Sequence, residues 1–241
     1  MAKKIQFIPD TTGGSAEKYD EIAKDNLVLV DKPQPMRLSL PDWYTKSDLF
    51  NNGDRFANNM VNSLTFKACL PFMDALTFGY SLVTPTDIQV SWKAGVQRFS
   101  WKGSIEPIIQ RDSSNILPTP IGCSNEHYAW NSFNGIILPE GYSAIITHPM
   151  NRHDLPFVTS SGIIDDQMLW KGFFSFWVKE GWEGIIPHGT PFAQIIPFKR
   201  DEWVSERRED LIEYAQQERK KSRKHAMGWY KKFTYKRKSF K

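Results

Sequence analysis

From Leu64 onward, short apolar and aromatic runs alternate with turn-forming residues. LTFKACLPF (64–72), FGYSLVTP (78–85), IQVSW (88–92) and VQRFSW (96–101) each have the length and residue types of strands, the first ending near a proline. Lys93-Ala94-Gly95 predicts a three-residue turn that joins the last two into a hairpin. Residues 104–125 are loop-like, with Ser113-Ser114-Asn115, Pro118, Pro120 and Gly122. HYAWNSF (127–133) and NGIILPEGYSAIITHP (134–149) predict more strands, the second interrupted at Pro139-Glu140-Gly141. An apolar run then ends in the acidic turn Gly162 to Asp166. An aromatic strand from Gly172 to Val178 follows, then a Gly-Thr-Pro turn and a strand from Phe192 to Phe198. Turn signals at this density predict an all-β body over 64–203, of β-clip or β-sandwich/barrel type.

The flanks differ in pattern. Residues 1–62 are polar and irregular, with turn signals at TTGGS (11–15) and KPQP (32–35). Ala16 to Lys24 suits a short helix, Leu27 to Val30 a short strand, and Pro41-Asp42-Trp43-Tyr44 a helix start or a turn with aromatic anchors. This region is an N-terminal arm that packs on the body or on a partner, or else a flexible leader. After Asp201, Trp203, Leu211, Tyr214 and Ala215 fall at loosely helical spacing. With Ser205 as N-cap and several Arg/Glu pairs, they predict one helix over 205–225. Residues 205–241 thus form a C-terminal helix and a basic aromatic tail.

Composition supports the β reading, since nine Trp and sixteen Phe in 241 residues favour sheet faces. No apolar run reaches the length of a membrane helix, and the first residues lack the apolar region of a secretory signal, so no membrane partner is expected. Cys69 and Cys123 stand apart and outside any CxxC pair, which fits synthesis in a reducing cytoplasm without a disulfide or a zinc site.

The net charge of +4 conceals a division. The last 23 residues carry 11 Lys/Arg and no acid, so residues 1–218 hold 20 basic and 27 acidic groups, a net of −7. The candidate binding residues are Arg219, Lys220, Lys221, Arg223, Lys224, Trp229, Tyr230, Lys231, Lys232, Phe233, Tyr235, Lys236, Arg237 and Lys238. Cations neutralise phosphates and aromatics stack on bases, which suits nucleic acid. An acidic protein face, including the body of a second copy, would be bound by the same composition.

His148, His153, Asp154 and His188 raise a metal reading. His153 and Asp154 are adjacent, so on a strand they point to opposite faces, and no His-x-Asp/Glu occurs. They read as ordinary loop residues, and no metal or other cofactor is expected of them.

Residues 64–203 resemble an uncharacterised bacterial and phage domain family of unknown function. The shared elements are Cys69-Leu70-Pro71, Gly79-Tyr80, Val90-Ser91-Trp92, Pro149-Met150-Asn151, Gly162 to Asp165, and Gly189-Thr190-Pro191 through Pro197. The resemblance implies a bacterial host and a place in a virion or its assembly. The segment 145–198 is also similar to the dUTPase and dCTP-deaminase group, which has a β-clip fold. Gly162-Ile163-Ile164-Asp165 matches that group's Gly-Val-Ile-Asp turn. The similarity implies Asp165 as general base for water attack on a phosphoanhydride, with Mg²⁺ neutralising the phosphates. Three positions depart from the pattern. Pro149-Met150-Asn151-Arg152 lacks the group's serine and glycine, Met168 to Gly172 replaces its Tyr-Arg-Gly, and Trp177 stands where the deaminases carry a glutamate. The expectation is therefore a non-enzymatic, phage-type structural or accessory protein, homo-oligomeric or bound to other assembly proteins. The alternatives are a Mg-dependent deoxynucleotide hydrolase using Asp165 and a nucleic-acid-binding protein acting through 219–241.

Overall fold

A computed structural model describes residues 3–10, 31–51, 64–111, 118–169, 173–224 and 228–241. It divides into two compact units, one comprising 1–39, 76–200 and 240–241, the other 40–75 and 201–239. The helix at 16–24 and strand at 27–30 expected from the sequence lie outside the described residues.

The first unit is all-β. Its strands are β1 (Gln6–Pro9), β2 (Gln34–Pro35), β3 (Tyr80–Val83), β4 (Ile88–Lys93), β5 (Val96–Trp101), β6 (Ile108–Gln110), β7 (Tyr128–Asn131), β8 (Asn134–Ile137), β9 (Tyr142–Thr147), β10 (Phe157–Thr159), β11 (Gly162–Asp165), β12 (Gln167–Met168), β13 (Phe173–Val178), β14 (Gly184–Ile186) and β15 (Pro191–Lys199). They form four antiparallel sheets, ordered β1-β8-β12, β10-β13-β7-β6, β11-β9-β15-β3-β2 and β14-β4-β5. Two pieces of the N-terminal arm are sheet strands: β1 pairs with β8, and β2 extends the β3 edge. Strand β6 emerges inside the stretch expected to be loop, because Ile108 and Ile109 pair with Trp130 and Ala129 on β7.

One apolar cluster draws side chains from all four sheets. Trp130 on β7 lies within it, stacked 3.9 Å from Phe176 and 5.1 Å from Phe192, with Phe157 edge-on at 4.9 Å. Each such ring contributes about 1.5–3 kcal/mol on leaving water. The indole N–H is not stranded: it donates to Thr159 Oγ1 at 3.1 Å, and that hydroxyl donates to the Phe192 carbonyl at 2.7 Å.

The β4–β5 hairpin closes more tightly than the sequence suggested. Lys93 pairs with Val96, leaving a two-residue turn of Ala94 and Gly95, both at positive φ. That geometry matches the right-handed twist of the strands.

Strand β15 runs between β9 and β3. Its Gln194 is fully buried; Oε1 accepts from the Met150 N–H at 2.8 Å, and Nε2 donates to the Phe78 carbonyl at 2.6 Å. Gly79 sits against the same strand at φ +78°, where a Cβ would lie 2.0 Å from the Ile195 carbonyl oxygen. The Gly79 carbonyl in turn accepts the Met36 N–H at 3.0 Å. Pro197 interrupts nothing, since pairing with β3 ends at Ile195.

In the second unit, 64–72 is not the strand expected. Leu64 makes an isolated bridge to Phe50, residues Phe66–Ala68 form a 3-10 turn, and a helix spans Leu70–Thr77. Thr65 explains the change, as its hydroxyl caps the Lys67 N–H at 3.3 Å. Pro71 falls in the helix's first turn, where no N–H donor is needed. Phe66 and Phe72 then pack with Trp43 and Tyr44 of the short helix Asp42–Thr45, at ring separations of 5.4 to 6.4 Å. The Lys67 ammonium donates to the carbonyls of Thr45 and Ser47 at 2.8 and 2.7 Å, satisfying groups the short helix leaves open.

The C-terminal helix is shorter than predicted. It spans Ile212–Lys224 after a 3-10 turn at Glu209–Leu211, and residues 201–208 are exposed and carry neither helix nor strand. Arg208, at φ −106° and ψ 85°, is outside the helical region and donates to both Asp210 carboxylate oxygens. That local pair holds the chain open where a cap at Ser205 was expected.

Substituting Gly79→Ala adds a methyl against the β15 backbone at an unfavourable φ. Stability is expected to fall by about 2–5 kcal/mol, read from the urea midpoint. A loss under about 0.5 kcal/mol, the range of ordinary surface changes, would show that β15 and Phe78–Gly79 are not in this contact.

Candidate functional site

Asp165 ends β11, directly opposite Ser143 on β9. The Ser143 hydroxyl donates to Asp165 Oδ1. Asp166 follows at φ +39°, and its carbonyl accepts the Leu138 N–H at 2.6 Å. Arg200, just past β15, reaches both acids: its guanidinium lies 3.5 Å from Asp165 Oδ1 and 2.6 Å from Asp166 Oδ1. The bond to Asp166 raises the Arg200 pKa above its ordinary value. Asp165 therefore belongs to an exposed Ser–Asp–Asp–Arg cluster, its side chain 67% accessible. The sequence missed Arg200, because 34 or more residues separate it from the acids that the β9–β15 pairing brings near it.

The Pro149–Arg152 turn, which occupies the place of the look-alike serine motif, has structural work of its own. Its Met150 N–H is bound by Gln194, and Asn151 adopts φ +61°. Arg152 is buried, forks onto the Asp154 carboxylate at 2.8–3.2 Å, and donates to the Ser39 carbonyl at 3.2 Å. Trp177 is likewise buried and stacked on His127 at 5.1 Å.

The other histidines lie apart. His188 pairs with Asp31 at 2.5 Å, and its backbone N–H donates to Asp87. His148 is held by two backbone groups, the Thr159 N–H donating to Nδ1 at 3.3 Å and Nε2 meeting the Arg152 carbonyl at 3.1 Å. The pair assigns the proton to Nε2, since Nδ1 must accept. Among the described residues no three His, Cys, Asp or Glu gather into a ligand set. Cys69 and Cys123 are unbonded. A groove of about 360 Å³ lies along β4, β5 and β14, where Asp87, Gln89, Trp101, Lys102 and Ile185 meet.

The C-terminal cations are spread over two elements of the second unit. Arg219, Lys220 and Arg223 are exposed on the helix Ile212–Lys224, and Lys221 pairs with Glu218 at 2.7 Å. The Lys224 side chain lies outside the described residues. Tyr230–Thr234 form a wide helical turn in which the Tyr235 N–H reaches the Tyr230 carbonyl at 2.7 Å. Lys231, Lys232, Lys236 and Arg237 are exposed around it.

The tail aromatics are engaged within the chain. Trp229 stacks on Phe233 at 4.2 Å, and Tyr230 lies 6.2 Å from Tyr235. The Tyr235 hydroxyl donates to Asp74 Oδ1 at 3.1 Å, Lys238 pairs with Asp74 Oδ2, and the same ammonium stands 4.7 Å over the Tyr235 ring. Loss of solvent, with the bond to Asp74, raises the Tyr235 phenol's pKa. In the first unit, Phe240 packs edge-on against Phe78 at 4.7 Å and Tyr80 at 5.7 Å, and the Tyr80 hydroxyl donates to the Lys241 carbonyl at 3.4 Å. Asp74 was not legible in the sequence, because its partners Tyr235 and Lys238 lie 161 and 164 residues further on. No helix among the described residues is long and apolar enough to cross a membrane.

Burial lowers the pKa of His148 and of His127, the latter also through Arg111. A histidine whose folded pKa lies below its unfolded value stabilises the protein fully above the unfolded pKa, near about 6.5, and that stability is lost as pH falls. The urea midpoint is expected to drop between about pH 7.5 and pH 5, and His148→Asn to flatten part of the drop. A midpoint that rises on acidification would contradict burial of these imidazoles in their neutral form.

No protein-family model matches the chain, and no curated protein shows significant similarity to it.

Proposed function

We propose that this chain is a non-enzymatic structural or accessory protein of phage type, which binds neighbouring proteins through its arm and its basic C-terminal segment. The observation that supports this most is the exposed apolar run after the last strand. Trp203 is 88% and Val204 94% accessible, and Leu211, Ile212 and Tyr214 are also exposed. None of residues 201–223 is buried. A 13-residue helix of charged residues is marginal in water by itself, so its stability in a protein comes from packing. Large apolar side chains gathered on such an element mark a surface that another molecule covers.

Charge favours a protein partner with an acidic face. The exposed lysines and arginines supply the complementary field, while two of the tail aromatics, Tyr235 and Phe240, are engaged with Asp74, Phe78 and Tyr80. The phage context rests on the order of motifs in 64–203. The arm contributes through β1 and β2, which already lengthen two sheets and show how an extended segment joins this body.

Light scattering on the intact chain is expected to give a mass above that of the monomer, alone or with virion proteins. The double substitution Trp203→Ser/Val204→Ser should weaken that association at least tenfold, about 1.4 kcal/mol or more. An intact chain that binds no protein sinks the reading. So does binding to nucleic acid alone, recognised by its steep decline with salt.

The rival is deoxynucleotide hydrolysis with Mg²⁺ at Asp165. Incubation with the deoxynucleoside triphosphates and Mg²⁺ is expected to give no turnover. Hydrolysis by the wild type that Asp165→Asn abolishes would instead establish the enzyme.

A further inference from the structure

The sheet β14-β4-β5 turns one face to the core and the other to a groove. Ile88, Val90 and Ile186 are buried, whereas Gln89, Ser100 and Ile185 are exposed. The register sets those three in one row across the strands, Ile185 opposite Gln89 and Gln89 opposite Ser100. Asp87 and Lys102 come one step beyond the last pair of the hairpin, Ile88 with Trp101. Trp101 is half-buried against the core and gives the groove an aromatic wall. The lining lies wholly within the first unit and draws nothing from residues 201–241.

The fold uses few of the polar atoms around this groove. Asp87 Oδ1 accepts the His188 N–H at 2.7 Å, and Gln89 Nε2 donates to the Val90 carbonyl at 3.1 Å. Asp87 Oδ2, Gln89 Oε1, the Ser100 hydroxyl, the Trp101 indole N–H and the Lys102 ammonium have no hydrogen-bond partner among the described residues. Donors and acceptors are thus both on offer, and the one carboxylate and the one ammonium oppose each other in charge.

We propose that this groove binds a neutral saccharide. A pyranose ring has an apolar C–H face for Trp101 and Ile185, and hydroxyls that both donate and accept for the groups around them. The volume of about 360 Å³ falls at the small end of ligand sites, which span about 300–1,000 Å³. Other ligand classes fit less well. A phosphate meets the Asp87 carboxylate, and a cation meets Lys102. A wholly apolar ligand covers polar groups without pairing them, at about 1–3 kcal/mol each. The floor crosses three paired strands rather than following an edge, so an extended peptide finds no open backbone ladder there.

Saturation-transfer NMR on the intact chain tests the site. The probes are glucose, galactose, mannose, N-acetylglucosamine, N-acetylgalactosamine, cellobiose and chitobiose, with inorganic phosphate and adenosine as contrasts. At least one sugar is expected to bind saturably with a Kd below about 10 mM. That affinity should change less than about twofold between about 0.05 and 0.5 M salt, because the ligand is uncharged. No sugar below that limit overturns the proposal, as does binding of phosphate or adenosine alone.

The double substitution Asp87→Asn/Gln89→Ala locates the binding. Both side chains are exposed, and the asparagine Oδ1 keeps an acceptor for the His188 N–H. The urea midpoint should hold while sugar affinity falls at least about tenfold. Sugar binding that survives the double substitution unchanged overturns this site. Trp101→Ala should abolish binding; if that variant unfolds, the double substitution decides by itself.

Discussion

Strand β15 holds this protein together through two features that work only in combination. Gln194 places a full amide inside the core, where an unpaired polar group costs about 1–3 kcal/mol, and binds it to the Met150 N–H and the Phe78 carbonyl. Gly79, next to Phe78, has no Cβ, so the chain can approach the Ile195 carbonyl. The polar group needs the close approach to find its partner, and the close approach needs glycine. With β15 so placed, β9 and β3 pair on its two sides and β2 and β11 extend the sheet. Phe192 of the same strand meets Trp130, which ties this sheet to the β10-β13-β7-β6 sheet.

That framework also decides what its acidic turn can do. The pairing of β9 with β11 sets Ser143 beside Asp165, and the run of β15 past Phe198 brings Arg200 to Asp165 and Asp166. The acids become members of a surface cluster in which one guanidinium faces two carboxylates. Elsewhere in the same unit, Arg152 is buried and bound to Asp154 and the Ser39 carbonyl, and Trp177 is buried against His127. Among the described residues, the apolar side chains of Trp203, Val204, Leu211, Ile212 and Tyr214 and the cations Arg219, Lys220 and Arg223 stand exposed.

Much of this was legible in the chain. Strands β3, β4, β5, β7, β8, β9 and β15 follow from apolar runs bounded by Gly, Pro and Asn, since alternation and turn residues are local properties. The acidic body and basic tail follow from counting charges. Three local readings failed, two where a competing short-range contact won and one where a distant strand edge did. Residues 64–72 have strand composition, yet Thr65 caps a turn and Phe66 and Phe72 fold around Trp43 and Tyr44. Ile108 and Ile109 looked like loop until β7 offered them an edge. Ser205 looked like a cap, but the Arg208–Asp210 pair delays the helix to Ile212.

By itself the sequence determined the class of the fold, the places where most strands begin and end, and the separation of charge, because each depends on neighbours within a few residues. The tertiary structure decided which acids meet Arg200, which carbonyls Gln194 binds, and that the last aromatic residue lies against Phe78 and Tyr80. Those contacts join residues 34 to 162 positions apart. Their energy comes from desolvated partners meeting in space, which no local pattern encodes.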